Sequence, residues 1–265
     1  MERKIKGVIL AGGLGTRLNP LTQIVSKQLL PVYDKPLIYY PLTTLMLAGI
    51  REISIITTPP QKENFVNLLG EGSHFGIRIT YLIQDKPNGI AESLLLAEDF
   101  LKGDKCALIL GDNIFHGSGL GRRLAMFNEV QGAKIFGYRV KNPESYGIAT
   151  LDHEGNIEEL IEKPNSSNSK IAIPGIYFFD QNASNLTKEI APSSRGELEI
   201  LDLLKIYHEN KLLSFEMLPR GTAWFDSGTF EDLYEASTYV RLMQERTGER
   251  VGDPMEISRL NDWIQ

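Results

Sequence analysis

"VILAGGLGTRLNPLT", residues 8–22, lies near the start of a chain of 265 residues. It begins as a short apolar strand and breaks into glycines at Gly12, Gly13 and Gly15. It then offers one arginine, Arg17, with no apolar face behind it. The loop is not a P-loop, because G-x-x-x-x-G-K-[ST] is missing. Nor is it the dinucleotide fingerprint, because Leu18 stands where a glycine three residues after Gly15 would be needed. The glycines still let the backbone approach a ligand closely and point N–H groups at anionic oxygens. Arg17 adds a planar, permanently charged fork suited to phosphate, and Lys27 in "SKQLLPV" adds a second cation ten residues on. Alone, the loop would suit a tight strand-to-loop turn with surface charges. With both cations following, it reads as a phosphate cradle.

Outward from this loop, short runs rich in Ile, Val and Leu alternate with helical patterns. "KGVILA" (6–11), "EISIITT" (52–58), "IRITYLIQ" (77–84), "CALILGD" (106–112) and "AKIFGYRV" (133–140) read as strands buried on both faces. Between them, "PLIYYPLTTLMLAGI" is expected to start a helix at Pro36 and end it near Gly49. "KENFVNLLG" and "GIAESLLLAEDFL" read as two further helices. The rhythm predicts an α/β fold with a doubly wound, mostly parallel, Rossmann-like sheet flanked by helices. Ligands in such sheets bind beyond the carboxyl ends of the strands. Both the glycine loop and "LGDN" (110–113) follow strands, so both can face one crevice. Farther on, "DHEGN" (152–156) marks a hairpin and "GIYFFD" (175–180) another strand. "GELEILDLLKIYHEN" and "TFEDLYEASTYVRLMQERTG" read as amphipathic helices. The only linker-like stretch, "NSSNSK" (165–170), is too short to separate domains. One domain over 1–265 is expected, with halves at about 1–130 and 131–230 and a helical region at about 229–265.

Composition removes other classes. The chain is 42% hydrophobic and 23% charged, with a formal net charge of −6, so no global basic field favours nucleic acid. Cys106 is the one cysteine and sits in an apolar run, which excludes an internal disulfide. The apolar run before the first glycines is too short for a signal segment or a membrane span, so a cytoplasmic protein is expected. The four histidines, His74, His116, His153 and His208, lack zinc-like spacing.

The loop and "SKQLLPVYDKPLIYYPL" continue into "LGDNIF" (110–115), "YGI" (146–148), "EKP" (162–164), "SRGELEILD" (194–202) and "WFDSGT" (224–229). Together these segments resemble the sugar nucleotidyltransferases, up to about residue 258. "SKQLLPVYDKPLIYYPL" and "RGELEI" resemble the branch that transfers thymidylyl groups. The resemblance implies the nucleotide-diphospho-sugar transferase fold with a small β-rich sugar-binding insertion. It also implies the reaction of dTTP with α-D-glucose 1-phosphate to give dTDP-glucose and pyrophosphate, with Mg²⁺ as cofactor and a homo-oligomer, dimer or tetramer, as the assembly.

By that resemblance Arg17, Lys27, Asp112 and Asp226 are catalytic, with Asp112 and Asp226 as the metal ligands. Two hard carboxylates plus phosphate oxygens suit Mg²⁺. Leu10, Gly12, Gly13, Gly15, Thr16, Arg17, Gln28, Gln84, Gly89 and Asp112 match the nucleotide site. Tyr146, Gly147, Glu162, Lys163, Tyr177 and Arg195 match the sugar-phosphate site. The base-reading stretch departs from the family's Q-x-S-P-D-G-L-A-Q-A: here it is "QDKPNGIAES", with Asn88, Ile90 and Glu92 in place of Asp, Leu and Gln. Pro174 stands where the family has threonine. Two alternatives remain at this point. One is a uridylyltransferase, or a thymidylyltransferase for a modified sugar phosphate. The other is a nucleotide-sugar binder without turnover, which would have no need of the carboxylate pair.

Overall fold

The computed structural model describes residues 4–264. Strands β1 (Ile5–Leu10), β2 (Pro31–Val32) and β3 (Lys35–Pro36) precede helix α1 (Tyr39–Leu47). β4 (Glu52–Thr57), α2 (Lys62–Leu69), β5 (Arg78–Ile83), α3 (Glu92–Leu96), α4 (Glu98–Leu101) and β6 (Lys105–Leu110) complete the first half. There follow β7 (Ile114–His116), α5 (Leu120–Ala125), β8 (Ala133–Arg139), β9 (Gly147–Leu151), β10 (Ile157–Glu162), β11 (Ile171–Ala172), β12 (Ile176–Phe179) and α6 (Ala183–Thr187). The chain closes with α7 (Ile200–Glu209), β13 (Leu213–Met217), β14 (Ala223–Phe225), α8 (Phe230–Thr247) and α9 (Pro254–Leu260).

One ten-stranded sheet runs in the order β10-β9-β11-β8-β12-β6-β1-β4-β5, with β13 also paired to β8. β5, β4, β1 and β6 are mutually parallel. β12 inserts antiparallel between β6 and β8, which leaves β8 pointing the same way as β6. The order reverses at β1: the chain moves outward to β4 and β5, then returns to the other side with β6. The carboxyl ends of β1 and β6 therefore open the crevice at a topological switch point. Apolar residues fill both faces of the sheet. Ile9, Leu42, Ile53 and Phe136 lie in one layer, and Val8, Leu94, Leu108 and Leu204 in the other. A third apolar cluster joins Val32, Tyr40, Ile114 and Val240, packing the long helix α8 against β2, β7 and α1.

Three local expectations need correcting. Pro36 belongs to the two-residue pairing β2–β3, and helix α1 starts at Tyr39. "GIAESLLLAEDFL" makes two short helices, α3 and α4, broken at Ala97, whose φ of −88° and ψ of 1° leave the helical range. β5 is an edge strand and is not buried on both faces: Arg78 is exposed and its last four residues are half-buried. Hydrophobicity reports the residue types of a strand, and its neighbours in the sheet decide how far it is covered.

Candidate active site

The glycine loop is fixed by its own backbone. Ala11 N donates to Ile56 O at 2.7 Å, which extends the β1 pairing one residue past the strand. Gly15 takes a left-handed φ of 61°, and Thr22 Oγ1 donates to its carbonyl at 2.8 Å. Only glycine adopts that conformation without strain. A Cβ on Gly12 would overlap Gln84 Oε1, whereas one on Gly13 would meet no heavy atom within 4 Å. Gly12 is thus needed for close packing, and Gly13 has open space beside it. Leu10 ends β1, and Thr16 and Arg17 form the short 3-10 turn Thr16–Leu18.

Lys27 opens a second 3-10 turn, Lys27–Leu29, and is only 5% exposed. Its Nζ lies 2.7 Å from Asp112 Oδ2 and 3.4 Å from the Asp226 carbonyl oxygen. Gln28 beside it is buried and accepts from Ser26 Oγ at 2.6 Å. Asp112 stands just beyond β6. Asp226 stands just beyond β14, which pairs antiparallel with β7 and so returns to the same spot. Burial pushes the Asp226 carboxyl up first, then repulsion from Asp232 and Asp112, against the pull of Lys27. Asp226, with Asp232 and Asp112 near it and Lys27 already engaged by Asp112, has room for a further positive charge. Among the described residues no three His, Cys, Asp or Glu side chains gather as a metal site. Asp112 and Asp226 therefore fit a hard cation that takes its remaining oxygens from a ligand.

Arg17 is exposed and makes no ion pair among the described residues. It lines a cleft of about 180 Å³ together with Asp112, Asp226, Tyr146, Glu162, Lys163 and Tyr177. A Cβ on Gly228 would come within 2.8 Å of Arg17 Nη2, so the glycine of "DSGT" leaves room for the guanidinium.

The cleft continues between the β9–β10 hairpin and β12. Gly147 opens β9, where a Cβ would come within 2.9 Å of Leu201 Cδ1. The Tyr146 ring packs 5.1 Å from Trp224, and its hydroxyl is pushed up to about 12, by burial first and then by Asp226 and Asp232. Tyr177 is buried on β12, and burial raises its hydroxyl far above the ordinary tyrosine value, with Glu162 and Asp112 adding to the rise. The phenol therefore stays neutral and can donate. Glu162 is raised chiefly by burial, with Lys163 opposing. Lys163 holds a φ of 41°, a strained conformation for a side-chain-bearing residue, with Nζ 3.6 Å from Glu162 Oε1.

The other predicted residues, Leu10, Gly12, Gly13, Gly15, Thr16, Lys27, Gln28, Gln84, Gly89 and Arg195, lie away from that lining. Arg195 Nη2 sits 2.9 Å from both oxygens of Glu199 and 3.5 Å from Glu162, so its charge is already matched. Gln84 follows the last residue of β5, its N–H donating to Thr57 O at 2.9 Å, and is 3% exposed. Gly89, with φ 106°, passes the backbone of Leu198 so closely that a Cβ would lie 2.6 Å from Leu198 N. Leu198 N donates to Asn88 O at 2.7 Å, which ties the predicted base loop to the segment carrying Arg195.

Sequence reasoning missed Asn113. Its Oδ1 accepts from Gly175 N at 3.1 Å and from Trp224 Nε1 at 2.7 Å, and its Nδ2 donates to Asp112 Oδ1 at 2.9 Å. One buried amide thus ties the ends of β6, β12 and β14 together and aims Asp112. The signal was its place beside Asp112 in "LGDN". Cys106 is buried and its thiol is pushed far up by burial, so it offers no nucleophile.

Comparison with known proteins shows the family. The Nucleotidyl transferase family model matches residues 6–241. A glucose-1-phosphate thymidylyltransferase of Mycolicibacterium smegmatis is 50% identical over 254 residues, 96% of this chain and 88% of its own. One from Neisseria gonorrhoeae is 48% identical over 261 residues, covering 98% and 91%. Among solved structures, a Bacillus anthracis protein assigned as a glucose-1-phosphate thymidylyltransferase, in complex with sucrose, superposes with a TM-score of 0.83 at 39% identity, covering 89% of this chain and 95% of that one. A UDP-glucose pyrophosphorylase complexed with UDP-glucose superposes at 0.79 and 25% identity, covering 90% and 99%. The chain belongs to the nucleotidyl transferase family.

Proposed function

We propose that this chain transfers a thymidylyl group from dTTP to α-D-glucose 1-phosphate, releasing pyrophosphate and dTDP-glucose. One observation carries the reading: Arg17, Asp112 and Asp226 on the nucleotide side share a single cleft with Tyr146, Glu162, Lys163 and Tyr177 on the other. A site that joins an anion cradle to a polar sugar-sized cavity suits condensation of a nucleotide with a sugar phosphate. The 44–50% identity to glucose-1-phosphate thymidylyltransferases supports the choice of substrates.

The chemistry needs few groups. The sugar phosphate is anionic at neutral pH, so its oxygen attacks the α-phosphorus without a general base. The difficulty lies in holding two polyanions in line and stabilising the charge that develops. The open Gly13 backbone and Arg17 receive the triphosphate, and Arg17, unpaired beforehand, draws off the leaving pyrophosphate. Lys27, held at 2.7 Å from Asp112, is shared with the phosphates as they arrive. Glu162 accepts from sugar hydroxyls, neutral Tyr177 donates to a sugar oxygen, and Lys163 and Arg195 balance the acceptor phosphate. Asp112 and Asp226 would hold Mg²⁺, which supplies charge neutralisation at the phosphate oxygens. We read the chain as one domain, supported by the sheet that continues through both halves, and as a cytoplasmic homo-oligomer. No helix among the described residues is long and apolar enough to cross a membrane.

The test is pyrophosphate release with Mg²⁺ and glucose 1-phosphate, offering dTTP and UTP separately and in competition. Preference for dTTP is expected. Preference for UTP would favour the uridylyl reading, and release with neither would revive the binder.

A further inference from the structure

We infer that Glu92 is a positioning residue that fixes which end of the Gln84 amide faces the nucleotide base. It thereby makes the site select a base whose ring nitrogen carries a hydrogen, thymine or uracil, over cytosine. The inference rests on the reading proposed above and deepens it.

A side-chain amide can present either its NH₂ or its carbonyl oxygen, and the two ends have nearly the same shape. An ionised carboxylate only accepts hydrogen bonds, so it decides which end faces it. Glu92 opens helix α3, and its Oε2 accepts from Gln84 Nε2 at 2.7 Å. Its other oxygen, Oε1, accepts from Asn88 Nδ2, also at 2.7 Å. Turning Gln84 over would set two oxygens against each other at that distance. The backbone at Gln84 is held as well, since its N–H donates to Thr57 O at 2.9 Å.

The carbonyl end of Gln84 is what remains for a ligand. Oε1 packs over Gly12 in the glycine loop, where a Cβ would overlap it. It makes no hydrogen bond among the described residues, although Gln84 is only 3% exposed. An acceptor with no partner among the described residues, still reachable from outside and set between the glycine loop and the β5 end, can take a donor. The ring N–H of thymine or uracil supplies one, and cytosine presents a bare acceptor at the same ring position.

The test is the ratio of kcat/KM for dTTP to that for dCTP, with saturating glucose 1-phosphate, in the wild-type chain and in Glu92→Ala, Glu92→Gln and Glu92→Lys. Glu92→Ala should lower the ratio about tenfold through the nucleotide KM, leaving the KM for glucose 1-phosphate unchanged. Glu92→Gln, whose oxygen can still accept from Gln84, should restore most of it. Glu92→Lys, which can only donate, should turn the amide over and lower the ratio at least as far as alanine does. It carries the test if the alanine chain melts below the assay temperature. A ratio unmoved by Glu92→Ala and Glu92→Lys, in chains that keep wild-type melting temperatures, would overturn Glu92's role alone. A wild-type chain that releases no pyrophosphate with dTTP or UTP would overturn the reading of the site and this inference with it.

Discussion

The two sides of the crevice are prepared in opposite ways. On the nucleotide side, Arg17 is exposed and unpaired, and the Gly13 backbone faces open space. On the sugar side the cations are already matched: Arg195 is doubly engaged by Glu199, and Lys163 lies beside Glu162. Its walls are buried or half-buried aromatics, Tyr177, Tyr146 and Trp224. In the proposed reading, the side that must stabilise developing charge keeps Arg17 in reserve, while its second cation, Lys27, is held by Asp112 at 2.7 Å. The side proposed to take the sugar ring is built for shape, and its cations must turn partly from Glu162 and Glu199 to meet the acceptor phosphate. An unpaired cation acts at full strength when a polyanion arrives, whereas a paired one must first give up its partner.

Mutation can break this division, and the effects should be graded. The largest belongs to the shared point. Asp226→Asn should lower kcat by about 10²–10³, and thermal scans should show Mg²⁺ raising the melting temperature of the wild-type chain but not of this variant. Arg17→Ala should follow, with kcat down by about 10²–10³ and glucose 1-phosphate binding unchanged in calorimetry. An equal loss of sugar-phosphate affinity would erase the division between the two sides. Gly12→Ala comes next. It forces the Gln84 oxygen aside and should raise the dTTP KM by about tenfold at near-normal kcat in steady-state kinetics.

The sugar side should answer to pH. Burial lifts Glu162 above the ordinary glutamate value, so as pH falls it protonates earlier than an exposed glutamate would. The protonated form is a poorer acceptor for sugar hydroxyls. The KM for glucose 1-phosphate should therefore rise on the acid side, and Glu162→Gln should carry a raised KM at every pH and flatten the profile. Arg195→Gln should give the smallest effect, a few-fold change in KM, because Glu199 already offsets that charge. A large fall in kcat would show that Arg195 leaves its partner during the reaction.

Much of the nucleotide side was legible in the sequence because its elements are continuous. β1, β4 and β6 are apolar runs, and the ligand loops follow them directly. The sugar side was harder to read. It depends on β11, a two-residue strand, and on β7 and β14, which are three residues each and pair across more than a hundred positions. Pieces that short carry no periodicity. Asn113 escaped notice for the same reason: its partners Gly175 and Trp224 are distant in sequence. The pairing of Arg195 with Glu199 was written in "RGELE" but looked like any local charge run. Helix α1 began three residues later than expected, because the short β2–β3 pairing claims Pro36.

The central claim is that the sugar phosphate attacks the nucleotide directly, in line, with no protein nucleophile between them. The most direct measurement is the configuration at the α-phosphorus after turnover of a chiral α-thio-dTTP with glucose 1-phosphate. Inversion is the predicted result, since one in-line displacement inverts. Net retention would mean two displacements through a nucleotidylated side chain, and would contradict the account.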